Sequence, residues 1–305
     1  MHSYTQIVED LKTLGVEPGG TYLLRVSYKA IGKIEGGPKT FLEAVLEAVG
    51  SEGTVIMTAF PKKYVTQLRF FHRGKVFSKE KPPMPTTGAM PMIAVSLPQV
   101  KTSEKLEFPF VVIGKHSEYL TSNHTHDKTG YWLLREAIDK FDCKCLRIGG
   151  EVLFGSTHLS VEDVFTAKGE YIKKLRYGLY LNEQGRKVWY DTPNTVFCHN
   201  AFAKFSGRIT ASSKIYEGMV GNGYAIITSM RESYKEEVAI YNEDVHNLLC
   251  DDPNCLLCRT SFSFSDMSNW QFLCSQIKRL FTKEAKSAAV NIENVVLNML
   301  FAKRS

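Results

Sequence analysis

The chain has 305 residues, of which 44% are hydrophobic and 23% are charged, as in a water-soluble globular protein. It contains no uninterrupted apolar run of about 18 residues, which excludes a membrane-spanning helix. Its net charge of +6 suits an anionic small ligand or solubility alone, and no basic run, RNA-binding aromatic motif or zinc-finger spacing supports nucleic acid as a partner.

The N-terminal segment "MHSYTQIVEDLKTLGVEPGG" lacks the basic-then-apolar order of a signal peptide. Export is therefore not expected, and we predict a cytoplasmic protein with no membrane partner. In that reducing compartment the seven cysteines should remain thiols, with a metal cluster among them as an open alternative.

Helices and strands alternate in the first part of the chain. Apolar spacing predicts a helix over 4–15, and "TYLLRVSY" predicts a buried strand. A second helix is predicted at "PKTFLEAVLEAVG" and a second strand at "GTVIMTAF". This strand–helix–strand order indicates a parallel pair in an α/β sheet.

Two adjacent glycines, Gly36 and Gly37, stand between the first strand and the second helix. Glycine adopts positive φ without steric cost, so the pair could serve turn geometry alone. Alternatively, a phosphate or a pantetheine arm could lie against the exposed backbone there, before the helix N-terminus. The local pattern leaves both interpretations open.

The segment over 61–88 is rich in Lys, Arg and Pro, and we expect a long surface loop that covers a site. After it, "GAMPMIAVSLPQV" and "YWLLREAIDKF" predict helices, while "FPFVVIG" and "KCLRIGG" predict strands. The α/β alternation therefore continues to about residue 165.

Beyond that point the pattern changes. A β-hairpin is predicted around "NEQG", "YAIITSM" predicts one more strand, and 270–305 is predicted to be mostly helical. The predicted fold is a three-layer α/β/α structure with a mixed central sheet and a late β-hairpin insertion. It forms one domain over 1–305, in which 166–265 is a more β-rich accessory part.

Several segments between residues 7 and 190 resemble one protein family in their order and spacing. They are "LKTLGVEPGGTYLLRVSYKAIG", "IEGGPKTFLEAVLEAVGSEGTVIMTAF", "PTTGAMP", "FVVIGKHSEYLT", "CKCLRIGG" and "STHLSVED". The chain resembles the aminoglycoside 3-N-acetyltransferases and their sugar N-acetyltransferase relatives. The resemblance implies a three-layer α/β/α fold and transfer of an acyl group from acetyl-CoA, or another acyl-CoA, to a small-molecule amine. A homodimer is compatible with the sequence, which leaves the oligomeric state open.

The resemblance also implies a cofactor site and a catalytic pair. The segment that lies along the pantetheine arm matches "RVSYKAIG", and the glycine pair lies beside the cofactor. The cofactor-binding set that follows from the match is Arg25, Val26, Ser27, Tyr28, Gly36, Gly37, Pro38 and Ser103. The pattern that holds the catalytic histidine matches "HLSVE", which gives His158 as the base and Glu162 as the acid that orients it.

The chain departs from the family at several of these positions. Arg25 and Val26 stand where the family has His and Ser, and Met92 stands where it has an acid. In "TSEKL", Lys105 and Leu106 replace a His-Pro pair. Most notably, the column of the catalytic histidine holds Leu159, and His158 comes one residue early, a slip that rotates a helical side chain by about 100°.

These departures leave three hypotheses for function. The first is an N-acyltransferase that modifies an amine of a sugar, a peptide or a biosynthetic intermediate. The second is a catalytically degenerate descendant that binds a ligand or a protein partner. The third is an acyltransferase that takes its acyl group from a carrier protein or an aminoacyl donor. The gained basic residues favour a neutral or anionic acceptor, with the basic loop residues Arg69, His72, Arg73 and Lys75 near it.

A separate cluster of potential metal ligands lies in "HNLLCDDPNCLLCR". The N and S donors of His246, Cys250, Cys255 and Cys258 would suit tetrahedral zinc in a structural site. The alternative is that these cysteines are small buried hydrophobes beside the Leu-Leu pairs. No cysteine stands in a recognisable Cys–His context, so a nucleophilic cysteine is disfavoured.

Overall fold

The computed structural model describes residues 1–61, 65–66, 75–78, 84–105, 108–150, 154–168, 175–193, 198–253, 255, 258 and 274. The chain divides into two compact units. The first comprises Met1–Lys62, Lys79–Glu162 and Phe205–Ala239, and the second comprises Lys63–Ser78, Asp163–Lys204 and Ile240–Ser305. None of the helices in the described ranges is long and apolar enough to cross a membrane.

Up to about residue 165 the main strands and helices follow the predicted alternation, and further elements complete the structure. The strands are β1 (Thr21–Val26), β2 (Thr54–Thr58), β3 (Val65–Thr66), β4 (Val76–Phe77), β5 (Lys101–Thr102), β6 (Phe110–Gly114), β7 (Lys144–Ile148), β8 (Leu175–Leu181), β9 (Lys187–Pro193), β10 (Ile215–Val220) and β11 (Gly223–Ser229). The helices are α1 (Tyr4–Leu14), α2 (Tyr28–Ile31), α3 (Gly37–Val49), α4 (Ala89–Ala94), α5 (Ser117–Ser122), α6 (Trp132–Phe141), α7 (Thr157–Lys168), α8 (His199–Ala203), α9 (Ser206–Ser212) and α10 (Met230–Glu243), with a 3₁₀ helix over Val245–Leu248.

The first unit is built on a seven-stranded mixed sheet in the order β10-β11-β7-β1-β2-β6-β5. The predicted parallel pairing of β1 with β2 is confirmed, with Thr21 opposite Thr54. β7 lies parallel to β1 on its other side, so three parallel strands form the centre of the sheet. β6 and β11 flank this centre in antiparallel orientation.

Helices cover both faces of the sheet, which confirms the three-layer α/β/α prediction. On one face the core is formed with α1, α3 and α4, and Phe41 and Val45 of α3 are fully buried there. On the other face it is formed with α5, α6 and α7, which contribute Leu120, Leu134 and Leu159. Both clusters contain alternate residues of β1, because successive side chains of a strand point to opposite faces.

The second unit contains a small sheet centred on β8. The predicted hairpin around "NEQG" is confirmed, with β8 and β9 antiparallel. Asn182 closes the turn, because its Oδ1 accepts from the amides of Gln184 and Arg186, and Gly185 supplies the positive φ of 69° that the turn requires. β3 and β4 also pair with β8, so the expectation of a loop throughout 61–88 is wrong at these two short strands.

Other predictions about organisation are not tested by these residues. Arg69, His72 and Arg73 of the expected loop lie outside the described residues, as does 270–305 apart from Cys274. The accessory part over 166–265 stays a prediction. Within that range β10 and β11 belong to the large sheet of the first unit.

Candidate active site

A cavity of about 370 Å³ opens at the carboxyl ends of the three central parallel strands. Its wall includes Arg25, Val26 and Ser27 after β1, Thr58 at the end of β2, and Arg147 near the end of β7. This volume lies within the range of small-molecule sites, and the carboxyl ends of parallel strands are where α/β folds hold ligands. The lining residues that the structure describes all belong to the first unit.

Close backbone packing forms one side of this cavity. Gly149 and Gly150 follow β7 with φ of 61° and 72°, in the left-handed region that favours glycine. A Cβ on Gly149 would lie 2.4 Å from the Cβ of Ala30, so no side chain fits there without displacing α2. Gly149 and Gly150 are not among the predicted site residues, although two glycines directly after an apolar strand are a signal similar to that of Gly36 and Gly37.

Two arginines lie side by side in the cavity wall. Arg25 of β1 is in register with Arg147 of β7, and paired residues of neighbouring parallel strands point to the same face. Arg147 is buried, and its Nη1 donates to the carbonyl of Gly150 at 3.0 Å. Its Nε has no hydrogen-bond partner among the described residues. Burial lowers the pKa of Arg147, and the nearby charge of Arg25 acts in the same direction.

These two guanidinium groups give the cavity a positive wall. The described lining includes no aspartate or glutamate. A buried cation with an unused N–H can gain a charge-assisted hydrogen bond from a carboxylate or a phosphate. The described part of the wall is therefore suited to an anionic group.

His158 is the second residue of α7 and lines the same cavity. Its imidazole ring stacks on Tyr131, with ring centroids 5.2 Å apart and planes 5° from parallel. Leu159 is 1% exposed and packs in the core below. The one-residue slip relative to the family therefore leaves the histidine, not the leucine, in the cavity wall.

Glu162 lies one helical turn after His158 and is buried. Its two carboxylate oxygens accept from the amides of Gly130 and Tyr131 at 3.1 and 3.2 Å. Burial raises the pKa of Glu162, and these backbone donors oppose that rise. Through these bonds Glu162 fixes the backbone of Tyr131, whose ring contacts His158.

A second buried carboxylate holds the start of α7. Glu237 of α10 accepts from the hydroxyls of Ser156, Thr157 and Ser160 at 2.8, 2.6 and 3.0 Å. Burial raises the pKa of Glu237 to about 7. Glu237 is not among the predicted site residues, because nothing in its local sequence distinguishes it from an ordinary surface glutamate of an amphipathic helix.

The other predicted cofactor residues are not among those that line the cavity. Tyr28 begins α2, with its ring edge-on to Phe41. Gly36 caps α3 with a φ of 73°, and Gly37 and Pro38 form the first turn of that helix. Their positive φ values account for both glycines, and a cofactor contact at this turn stays a prediction.

Ser103, another predicted cofactor residue, forms hydrogen bonds within the protein. It is buried, its Oγ accepts from the amide of Phe110, and His124 Nδ1 lies 3.1 Å away. Burial lowers the pKa of His124 to about 3, so that ring is neutral.

Three further positions differ from the residues expected from the family resemblance. Lys105 is buried and donates from Nζ to the carbonyl of His126, whereas Met92 is 45% exposed. Leu106 lies outside the described residues.

Three of the four predicted metal ligands lie close together in the second unit, and Cys198 takes the place predicted for His246. The thiols of Cys250, Cys255 and Cys258 converge with the thiol of Cys198, and their sulfur atoms lie within 4.8 Å of one another. His246 is not part of this group, and its Nδ1 lies 2.8 Å from Asp244 Oδ1. Cys198 lies 52 residues before Cys250, so the local spacing of cysteines and histidines gives no sign of it.

Proteins similar to this chain include aminoglycoside N-acetyltransferases. The family model for aminoglycoside 3-N-acetyltransferases matches residues 23–241. Aminoglycoside N(3)-acetyltransferase III of Pseudomonas aeruginosa is 27% identical over an alignment of 213 residues, and the match covers 63% of this chain and 76% of that protein. The aminoglycoside N(3')-acetyltransferase-like protein YokD of Bacillus subtilis is 25% identical over an alignment of 267 residues, and the match covers 79% of this chain and 93% of that protein.

Solved structures share the fold. The crystal structure of Bacillus subtilis YokD has a TM-score of 0.70, with 21% identity and coverage of 79% of this chain and 94% of that one. A variant of aminoglycoside acetyltransferase AAC(3)-IVa in complex with a gentamicin has a TM-score of 0.69, with 22% identity and coverage of 85% and 96%. Because the family model matches well over half of its length, the chain belongs to the aminoglycoside 3-N-acetyltransferase family.

Proposed function

We propose that this chain is an N-acyltransferase that uses acetyl-CoA, or another acyl-CoA, to acylate an amine of a sugar, a peptide or a biosynthetic intermediate. The observation that carries the proposal is the place of His158 in the wall of a ligand-sized cavity, at the carboxyl ends of the central strands. Membership of an acetyltransferase family supplies the class of reaction.

An amine must lose a proton before or while it attacks a thioester carbonyl, because an ammonium group has no lone pair. In the proposed mechanism His158 accepts that proton. Its imidazole contacts the ring of Tyr131, and Glu162 holds the Tyr131 backbone, so the ring has a fixed support. Glu162 is thus proposed as a positioning residue that acts on His158 through Tyr131. Its spacing in the sequence implied a direct contact with the histidine instead. The bound acyl-CoA supplies an activated acyl group, and holding both substrates in one cavity favours the attack.

Arg25, Val26 and Ser27 are the predicted cofactor-binding residues that line the cavity. Tyr28, Gly36, Gly37, Pro38 and Ser103 remain predictions from the family resemblance. The arrangement around Arg25 and Arg147 supports a neutral or anionic acceptor, because an acceptor with several ammonium groups would face two guanidinium groups and no carboxylate among the described lining residues.

Donor binding tests the proposal first. Isothermal titration with acetyl-CoA and CoA is expected to show saturable binding, and acetyl-CoA at about 100 times its Kd should stabilise the fold by about 2.7 kcal/mol. Release of the CoA thiol with a panel of amines then measures turnover. Failure of every acyl-CoA to bind would contradict the proposal and favour a ligand-binding descendant or a carrier-bound donor.

Acceptor charge gives a second prediction. Arg147→Gln is expected to raise the KM of an amine that carries a carboxylate or a phosphate by about 10- to 100-fold, the effect of one charge-assisted hydrogen bond. The KM of a neutral amino sugar should change little in the same variant. Arg147→Lys keeps the charge and serves as the control. Preference of the wild-type protein for a polycationic aminoglycoside over both other acceptor classes would contradict the proposed acceptor.

A further inference from the structure

The cysteine cluster of the second unit has the geometry of a metal site. Its members are Cys198, Cys250, Cys255 and Cys258, and all their sulfur atoms lie within 4.8 Å of one another. In a tetrahedral zinc site with Zn–S bonds of about 2.3 Å, the sulfur atoms are about 3.8 Å apart. Here the sulfur atoms of Cys255 and Cys198 are 3.5 Å apart, too far for a disulfide bond and close to that edge length. We propose that these four thiolates bind one Zn²⁺ ion.

Two segments far apart in sequence are held together around this cluster. Cys198 is the residue directly before α8, and the others follow the 3₁₀ helix. Lys204, just after α8, donates from Nζ to the carbonyl of Leu249 at 2.6 Å, which fixes the first segment against the residue before Cys250.

The second segment is folded so that three of its cysteines converge. The amide of Cys255 donates to the carbonyl of Asp252 at 3.1 Å and closes a turn before that cysteine. The amide of Cys250 donates to the sulfur of Cys258 at 3.3 Å. Backbone N–H groups aimed at sulfur stabilise thiolate ligands in metal sites and orient them. The spacing of Cys255 and Cys258, with two residues between them, is also common in zinc sites.

Burial and donor chemistry decide the kind of site. Cys198, Cys250 and Cys258 are at most 6% exposed. A full set of four thiolates with little solvent access leaves no open position for a substrate, as in structural zinc sites. Soft sulfur donors disfavour Mg²⁺ and Ca²⁺, which prefer oxygen ligands. The zinc ion would cross-link the segment before α8 to the segment after α10 and stabilise the second unit.

Metal content of the full-length protein, purified in reducing buffer, tests the proposal without any variant. Elemental analysis is expected to give close to one zinc per chain. Replacement of the ion by Co²⁺ should produce the intense visible absorption of a tetrahedral cobalt–thiolate centre. Iron in place of zinc, metal below about a tenth of an equivalent before and after incubation with Zn²⁺, or disulfides among these cysteines in the freshly isolated reduced protein would overturn the proposal.

Variants then test the ligand set. Cys198→Ser is expected to reduce bound zinc at least tenfold and to lower the thermal midpoint of the second unit. His246→Ala and Cys274→Ser are the matched controls, and both should retain one zinc. Loss of zinc in His246→Ala with retention in Cys198→Ser would overturn the four-cysteine assignment. Where Cys198→Ser does not fold, the cobalt spectrum of the wild-type protein decides, because a four-sulfur site and a three-sulfur, one-nitrogen site absorb differently.

Discussion

Replacing His158 with alanine is expected to lower kcat for acyl transfer by about two to four orders of magnitude, the usual contribution of a general base. The imidazole lines the cavity at the start of α7, and the amine cannot attack until a base takes its proton. Binding of acetyl-CoA should change little, because the proposed role of His158 is proton transfer. Single-turnover acyl transfer and isothermal titration measure the two effects separately.

His116→Ala is the matched control for this experiment. His116 also stacks on an aromatic ring, that of Phe141, at a centroid distance of 3.8 Å, and it is not among the residues that line the cavity. Its removal should leave kcat close to the wild-type value. Turnover in His158→Ala equal to that of the wild-type protein would remove His158 from the mechanism.

The free energy of unfolding is expected to depend on pH through Glu237. Its pKa is raised to about 7 in the folded protein by burial, against about 4.5 as the ordinary value. A raised pKa means that the stabilisation is complete below pH 4.5 and is lost as the pH rises through 7. The full loss amounts to about 3.5 kcal/mol, because each pH unit between the two pKa values contributes about 1.4 kcal/mol.

The groups around Glu237 stay neutral while its carboxyl titrates. Its hydrogen-bond donors are the neutral hydroxyls of Ser156, Thr157 and Ser160, and hydroxyl oxygens can also accept a hydrogen bond from the protonated carboxyl. Among the described residues, the thiol of Cys145 is a titratable neighbour, and burial raises its pKa to about 11, so it stays neutral across the window. Other groups with raised pKa values, such as Glu162, are shared by the wild-type protein and a Glu237 variant, so a difference between the two in pH dependence should come from the Glu237 carboxyl.

Urea unfolding of the wild-type protein and of Glu237→Gln, at several pH values from 4.5 to 7.5, measures the effect. The glutamine is uncharged at every pH, so the difference between the two proteins should change by about 3 kcal/mol across this range. Glu236→Gln is the control, since Glu236 is the preceding residue of α10 and pairs with Arg208 at 2.6 Å. Parallel curves for Glu237→Gln and the wild-type protein would show that Glu237 does not titrate as proposed.

Local sequence patterns determined several elements of the first unit and the pairing of its first two strands. Apolar spacing and terminal glycines predicted α1 and α3, because Gly15 and Gly50 end these helices with backbone conformations that glycine favours. Apolar runs between turn residues predicted the strands, and the order strand–helix–strand predicted the parallel pair. The hairpin followed from Asn182 and Gly185, whose turn chemistry is local.

The tertiary structure decided what the local patterns left open. Whether His158 or Leu159 faces the cavity depends on where α7 begins, and Glu237, 79 residues after His158 in sequence, holds that point. The pairing of Arg25 with Arg147 depends on β1 and β7 being neighbours in the sheet. Cys198 joins the other thiols from 52 residues away. Periodicity reports which face of its own element a residue occupies, whereas a site is made by elements that meet only when the chain folds.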